Sequence, residues 1–475
     1  MTSTRERATS AADATDGLSA REVLELARSQ QRAEDAAAAR KLEAAAMWAD
    51  LHPPESIHAA ASYMVAGSEH EEPIAGPGCP AVAQFCIAEL GTVLGISTTA
   101  ATRLIGHALE LRHRLPRLWA AVHSGRVPAW RARLVAEAAI HATPGLTPES
   151  VGWIDRQITP YAAKVGPAQL DRLVSEAIAR QHPAERLDPD DPHPVCPDTR
   201  HVTIDAGQVA YAGTTQITAE LDLADACDLD HALRTGAAEL KALGSNAPLD
   251  ARRAMALGHL ARHQLALDLA GTPATSASGS GSGSAGHPVG AGLPTTRALE
   301  LHLHFDAGLA SDLTIDAFGR LEEGQRLLLL ETVKQWCGDS HTRITIKPVI
   351  DLNTELHTTG YEPTDRQREQ IALRDRTCVF PWCSQPARRC DLDHTEPFDP
   401  TAAAGGRSQP GPTTTVNLGA LCRRHHRLKT HGRWHVTQPT SGVFDWTSPH
   451  GHTYRRDHTG TTRTDTDPDP PAAAP

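Results

Sequence analysis

At 475 residues and 40% hydrophobic composition, the chain has room for two or three domains with real cores, which excludes wholesale disorder. Nine cysteines, an odd and mostly scattered set, do not read as a disulfide framework and fit a reducing compartment. No stretch reaches the roughly 18 apolar residues needed to span a bilayer, and the first residues lack the apolar centre of a signal peptide, so a cytoplasmic location is expected. The net charge of −11 argues against nucleic acid until its distribution is examined. Residues 361–456 hold 14 Lys+Arg against 9 Asp+Glu, a balance of +5, whereas residues 1–360 carry −13 and 457–475 carry −3. Phosphate contact is therefore expected of the C-terminal part, with the acidic remainder restraining it.

Residues 1–17 read as a disordered N-terminus. Residues 18–50 then show helix-period apolar positions among Ala, Glu and Arg. After a Pro/Gly-rich break at 71–80, helical patterning runs through 81–92, through 98–142 with interruptions at Pro116 and Pro128, and through 150–181. The run LGISTTAATRLIGHALEL (94–111) scans as a helix-turn-helix, but a core helix entered at Ser97-Thr98 is the better reading. A Pro/Asp-rich loop follows at 186–199.

The period then changes. His201–Ile204 and Gln216–Leu221 alternate as strands, and 223–244 and 249–268 return to helix. Leu299–Phe305 and Arg343–Leu352 predict strands, with a helix over Leu321–Trp336 between them and a small sheet uniting the strands. His302 and His304 sit on a solvent-facing strand side, with no third metal ligand apparent. The expected fold class is α+β: a mainly helical region over 18–270, a Gly/Ser-rich linker or insertion at 271–294, and the rest of a mixed α/β region over 295–360. A C-terminal module follows over 361–456, then a disordered tail at 457–475.

The chemistry lies in that module. Cys378-x4-Cys383 forms a knuckle, and Cys422 with His425 provides a second pair in NLGALCRRHHRLKTHG, expected as one helix with Asn417 at its N-cap. These four hold one structural zinc, with Cys390 a rival ligand better read as a buried small residue. Asp393, His394, Asn417 and His426 remain as a surplus that a structural zinc does not need. His426 lies about 40° from Cys422 around a helix and turns toward Asp393. An Asp and a neutral imidazole suit a second divalent ion, Mg²⁺ or Mn²⁺ with Zn²⁺ as an alternative. His394 is the expected general base and Asn417 pins its loop, while Arg423, Arg424, Arg427 and Lys429 meet flanking phosphates. For neighbours Asp393 and His394 to serve one site, the chain is expected to leave regular strand geometry there.

The words RDRTCVFPWCSQPARRCDLDHTEPF and NLGALCRRHHRLKTHGRW closely resemble the zinc-bearing branch of the HNH endonuclease family over roughly 370–440. The resemblance implies a ββα-metal fold and metal-dependent hydrolysis of DNA, with DNA versus RNA left undecided by the sequence. By it His394 is the general base, Asn417 the family Asn and His426 the metal-binding His. One departure is Cys-x2-His where many relatives have Cys-x2-Cys, which leaves His425 the weakest of the zinc ligands. Upstream, LEAAAMWADLH (42–52), HRLPRLWAAVHSGRVPAWRARLVAEAA (113–139) and LDARRAMALGHLA (249–261) are similar to the bacterial domain-of-unknown-function 222 family over about 20–350. That similarity implies architecture and no activity. A zinc-stabilised binding or interaction module without catalysis is the competing expectation. The nuclease module is expected to fold alone, its small core compensated by zinc.

Overall fold

The computed structural model describes residues 18–465 except 60–66, 143–144, 182–199, 206–208, 211, 271–296, 305–317, 322–325, 339–341, 350–351, 353 and 405–406. The disordered N-terminus expected at 1–17, the loop at 186–199 and the linker at 271–294 thus lie outside the described residues. The chain forms two compact units, Met1–Pro197 with Glu355–Pro475 and, separately, Asp198–Thr354. Mixed helices and small sheets make it α+β.

The first unit opens with α1, Ala20–Asp50, started by a capping box in which Ser19 accepts from Glu22 N and Glu22 reaches back to Ser19 N. Only its last third is buried, through Ala39, Leu42, Ala45, Ala46 and Ala49 at helical spacing. Then come α2 (Cys86–Val93), α3 (Thr98–His113), α4 (Pro116–His123), α5 (Ala129–Ile140), α6 (Pro148–Ile158) and α7 (Pro167–Gln181). Helix α3 is capped by Ser97 and packs against α1, α2, α4 and α5. Leu104, Ile105, Ala108, Leu109 and Leu111 are all buried, so α3 is a core helix and has no apparent face left to enter a groove. The stretch read as one helix over 150–181 is two, α6 and α7, parted around Pro160 and Gly166.

The second unit pairs β1 (His201–Asp205) with β2 (Gln216–Glu220) antiparallel. Helices α8 (Leu223–Ala242) and α9 (Leu249–Ala270) are tied by Arg253 to Asp230 at 2.6 Å. Strand β3 (Arg297–His304) runs parallel to β6 (Thr342–Val349), and His302 pairs with Glu300 at 2.8 Å. The helix expected over Leu321–Trp336 is corrected: Phe318–Leu321 (β4) and Arg326–Leu329 (β5) form a hairpin, and helix α10 starts only at Leu330. A short apolar run such as Arg326–Leu329 suits strand as well as helix, and its partner Phe318–Leu321 decides for strand. The strands described form three separate two-stranded sheets and not the single small sheet expected.

The C-terminal part rejoins the first unit. Helix α11 (Asp365–Asp375) begins at a Thr364/Gln367 capping box. Strand β7 (Asp391–His394) pairs antiparallel with β8 (Leu418–Leu421), and α12 (Arg423–His431) follows at once. A meander closes it: β9 (His435–Thr440), β10 (Val443–Thr447), β11 (Thr453–Asp457) and β12 (Gly460–Arg463). Two expectations are corrected here. Asn417 is not a helix cap, because Leu418–Leu421 is a fully buried strand and the helix begins where charge begins, with Cys422 at its N-cap. The tail does not start at 457, since β12 carries order to Arg463, whose guanidinium donates to Val93 O at 2.6 Å.

That last contact belongs to an extensive seam between the C-terminal part and the helical layer. Ala88 of α2 lies within the apolar cluster of Val379, Phe380, Trp434, Trp446 and Tyr454, with Phe85 packed beside it. Arg424 pairs with Glu72 at 2.8 Å, and Arg427 donates to the carbonyls of Gly67 and Ser68 at 2.7 and 2.6 Å. His450 N donates to the buried Glu89 at 3.0 Å. The helical layer supplies part of the module's core and closes part of its polar bonding.

Candidate functional site

The knuckle bearing Cys378 and Cys383 is folded by Cys378 N donating to Gln385 O at 2.7 Å, and is fixed to β8 by Val379 N donating to Ala420 O at 2.8 Å. Cys422 follows β8 as the N-cap of α12, and His425 lies in the first turn of α12. The three thiols and His425 Nδ1 all lie within 4.8 Å of one another. Cys378 Sγ and Cys422 Sγ are 3.5 and 3.3 Å from His425 Nδ1. A tetrahedral zinc with Zn–S near 2.3 Å and Zn–N near 2.05 Å demands S–N edges of about 3.5 Å, so these residues fit the ion. Burial drives the Cys378 thiol well above its ordinary proton affinity, while hydrogen bonds from Cys378, Cys383 and His425 pull Cys422 down. Cys390 stays out of the cluster, its thiol turned to the carbonyl of Pro386 at 3.4 Å.

His425 is buried and stacked on Phe380, with centroids 3.9 Å apart. Its Nε2 meets Thr98 Oγ1 at 2.8 Å. Thr98 opens α3 in the helical layer, so the ligand histidine is oriented by a residue 327 positions away. No local pattern in the sequence signals that bond.

On the adjoining strand face, Asp391 and Asp393 point together, as i and i+2 must. His426 sits between them, Nδ1 2.9 Å from Asp391 and Nε2 3.4 Å from Asp393 Oδ1. Lys429 Nζ approaches Asp393 Oδ2 to 2.7 Å as a charge contact, while its hydrogen bond goes to the carbonyl of His394. Asp393 Oδ2 is therefore buried against a cation of the fold. Burial alone would raise the Asp393 carboxyl, but His426 and Lys429 bring it below the usual range. The same carboxylates raise His426, with Asp393 the largest influence. A buried carboxylate with an imidazole nitrogen 3.4 Å from its other oxygen is a donor set that fits a divalent cation. Asp391 escaped the sequence reading, although its two-residue spacing from Asp393 signals a shared face.

His394 is 5% exposed and stacks on Tyr361, centroids 5.2 Å apart. Its Nε2 meets Thr413 Oγ1 at 2.8 Å, and that hydroxyl donates onward to Tyr361 O at 3.3 Å. The chain of bonds assigns the proton to Nε2 and leaves Nδ1 its lone pair. Burial lowers the proton affinity of His394. The expected departure from strand geometry before His394 is corrected: the register with Leu418 holds, and His394 is the last strand residue. Asn417 clamps the following turn, accepting from Glu396 N at 2.9 Å and donating to the carbonyls of Glu396 and Pro412 at 3.1 and 3.0 Å.

Three of the four residues expected at phosphates have partners within the fold. Arg424 and Arg427 bind the helical layer, and Lys429, 13% exposed, is committed to Asp393 and His394. Arg423 alone of the four stands largely in solvent, its side chain 76% exposed and 3.4 Å from Asp391.

The family model described as domain of unknown function (DUF222) matches residues 55–375, well over half of the chain. The chain belongs to the DUF222 family. That match begins after α1, covers α2–α7 and the second unit, and ends at the close of α11, before the knuckle. Uncharacterized protein Rv3776 of Mycobacterium tuberculosis (strain ATCC 25618 / H37Rv) is 39% identical over 136 residues, 26% of this chain and 24% of that protein. Uncharacterized protein Rv2100 of the same strain is 41% identical over 105 residues, 22% of this chain and 17% of that protein. This DUF222 chain thus matches about a quarter or less of these relatives' lengths. No solved structure matches it significantly. No helix among the described residues is long and apolar enough to cross a membrane.

Proposed function

We propose that this DUF222 chain is a metal-dependent endonuclease of the HNH type that hydrolyses phosphodiester bonds in DNA. The supporting observation is the strand-strand-helix β7-β8-α12, which gathers the buried Asp393 carboxylate, His426 and His394 beside a Cys₃His cluster. Asp393 and His426 would hold the divalent ion, and such an ion supplies charge stabilisation to the scissile phosphate and the leaving oxygen. His394, kept neutral near pH 7 by burial, takes a proton from the attacking water at Nδ1. Thr413 holds its tautomer, Asn417 its loop, and Asp391 the ring of His426. Cys378, Cys383, Cys422 and His425 would hold a structural zinc at the root of the helix.

One observation favours the second reading, a zinc-stabilised module without catalysis. The Lys429 ammonium already neutralises Asp393, as a catalytic ion would. Plasmid nicking in Mg²⁺ or Mn²⁺ decides between them. The wild-type chain should nick, and His394→Ala should lose ~10²–10⁴ in rate while keeping its zinc content. Near-normal nicking by the variant sinks the assignment of the base. A wild type that cuts nothing across the divalent series favours the binding module.

A further inference from the structure

Away from β7 and α12, the helical layer carries a concavity of about 520 Å³ between the ends of α4 and α6. Arg117, Arg126, Arg156 and Lys164 line it above a floor that includes Ala121 and Val127, and no Asp or Glu is among its lining residues. All four cations are exposed, and none forms an ion pair among the described residues. The nearest acid in sequence, Asp155, is spent inside the fold: it accepts from Arg117 N, Leu118 N and Thr159 Oγ1 at 2.8, 3.0 and 3.1 Å. Four like charges held together without a counter-charge repel one another, and the fold neither pairs nor disperses them.

Their setting is unusual for this chain. Residues 112–165 hold eight Lys+Arg against three Asp+Glu, a balance of +5 inside a stretch, 1–360, that totals −13. Tyr161, which follows the lining residue Pro160 in the chain, is 52% exposed. A cationic groove with an exposed tyrosine next to a lining residue is the chemistry that tracks a sugar-phosphate backbone and stacks an unpaired base. A small anion needs a closed cradle of convergent donors, whereas these cations stand along an open groove.

We infer that this groove is a second nucleic-acid surface, binding the phosphate backbone of a single strand on the DUF222 helices. It reverses the expectation that the acidic upstream region only restrains binding. The inference rests on these residues and not on the nuclease reading.

The test is fluorescence anisotropy of a labelled oligothymidylate with the full chain, in a His394→Ala background without added divalent ion, from 50 to 200 mM salt. Arg117→Ala/Arg156→Ala/Lys164→Ala removes three exposed cations. The slope of log affinity against log salt should become shallower by about 2, near 0.7 per lost single-strand contact. Arg21→Ala/Arg28→Ala/Arg32→Ala, an equal loss of charge on the exposed start of α1, should leave the slope within experimental error. Thermal melts check that both triple variants stay folded. Identical slopes for the two triple variants overturn the inference. So does inorganic tripolyphosphate binding at the groove while the oligonucleotide does not. Because no cleavage is read, failure of nicking leaves this result standing, and the reverse holds.

Discussion

Thr98→Val removes one hydroxyl and almost no volume, yet it should reach the zinc cluster at the other end of the chain. The lost bond is His425 Nε2 to Thr98 Oγ1 at 2.8 Å, between side chains of residues 2% and 7% exposed. Water has little access to replace it, so the variant leaves a buried N–H unsatisfied at a cost of about 1–3 kcal/mol. An outer-shell partner of a ligating histidine is worth ~10–100-fold in metal affinity, which converts to about 1.4–2.8 kcal/mol. The two ranges overlap because they describe one bond from the folding and the binding side. Valine and threonine have similar helix propensity, and Ser97, not Thr98, caps α3, so the helix itself should be indifferent. Zinc competition against a chromophoric chelator, with urea unfolding of the full chain, measures both ranges. Thr98→Ser, which keeps the hydroxyl, should recover most of the loss. Unchanged zinc affinity and midpoint in the valine variant would refute the reasoning. Equal losses in both variants would assign the effect to packing instead.

Gly419 lies opposite Asp393 in the β7–β8 register, and a Cβ there would sit 2.7 Å from Phe444 Cε1 and 2.9 Å from Cζ. Gly419→Ala should cost about 1–3 kcal/mol by overpacking, read as a lower urea midpoint at unchanged m-value, and an unchanged midpoint would contradict the packing described. A fragment of residues 361–456 should unfold readily even with zinc, because it lacks β12, Ala88 and the partners of Arg424 and Arg427. Cooperative zinc-dependent melting of that fragment at the full-length temperature would show the seam to be dispensable.

Much of the site is local and was therefore legible. The Cys378/Cys383 knuckle and the Cys422/His425 pair announce a tetrahedral ion by spacing, and Asn417 is found clamping the loop as its place in the motif suggested. Period alone located the helices, since a buried face must recur every three to four residues wherever it packs. What period could not decide was Leu418–Leu421 and residues 318–329, short apolar runs that suit helix or strand equally until a partner strand is present. Tertiary structure alone decided the fate of the cations. Arg424 and Arg427 look like phosphate ligands in a basic helix, and become seam contacts because Glu72 and two backbone carbonyls from over 350 positions away arrive beside them. In the same way the tautomer of His394 depends on Thr413 and Tyr361, and the orientation of His425 on Thr98. A hydrogen bond needs its two atoms within about 3 Å, and separation along the chain says nothing about that distance until the chain has folded.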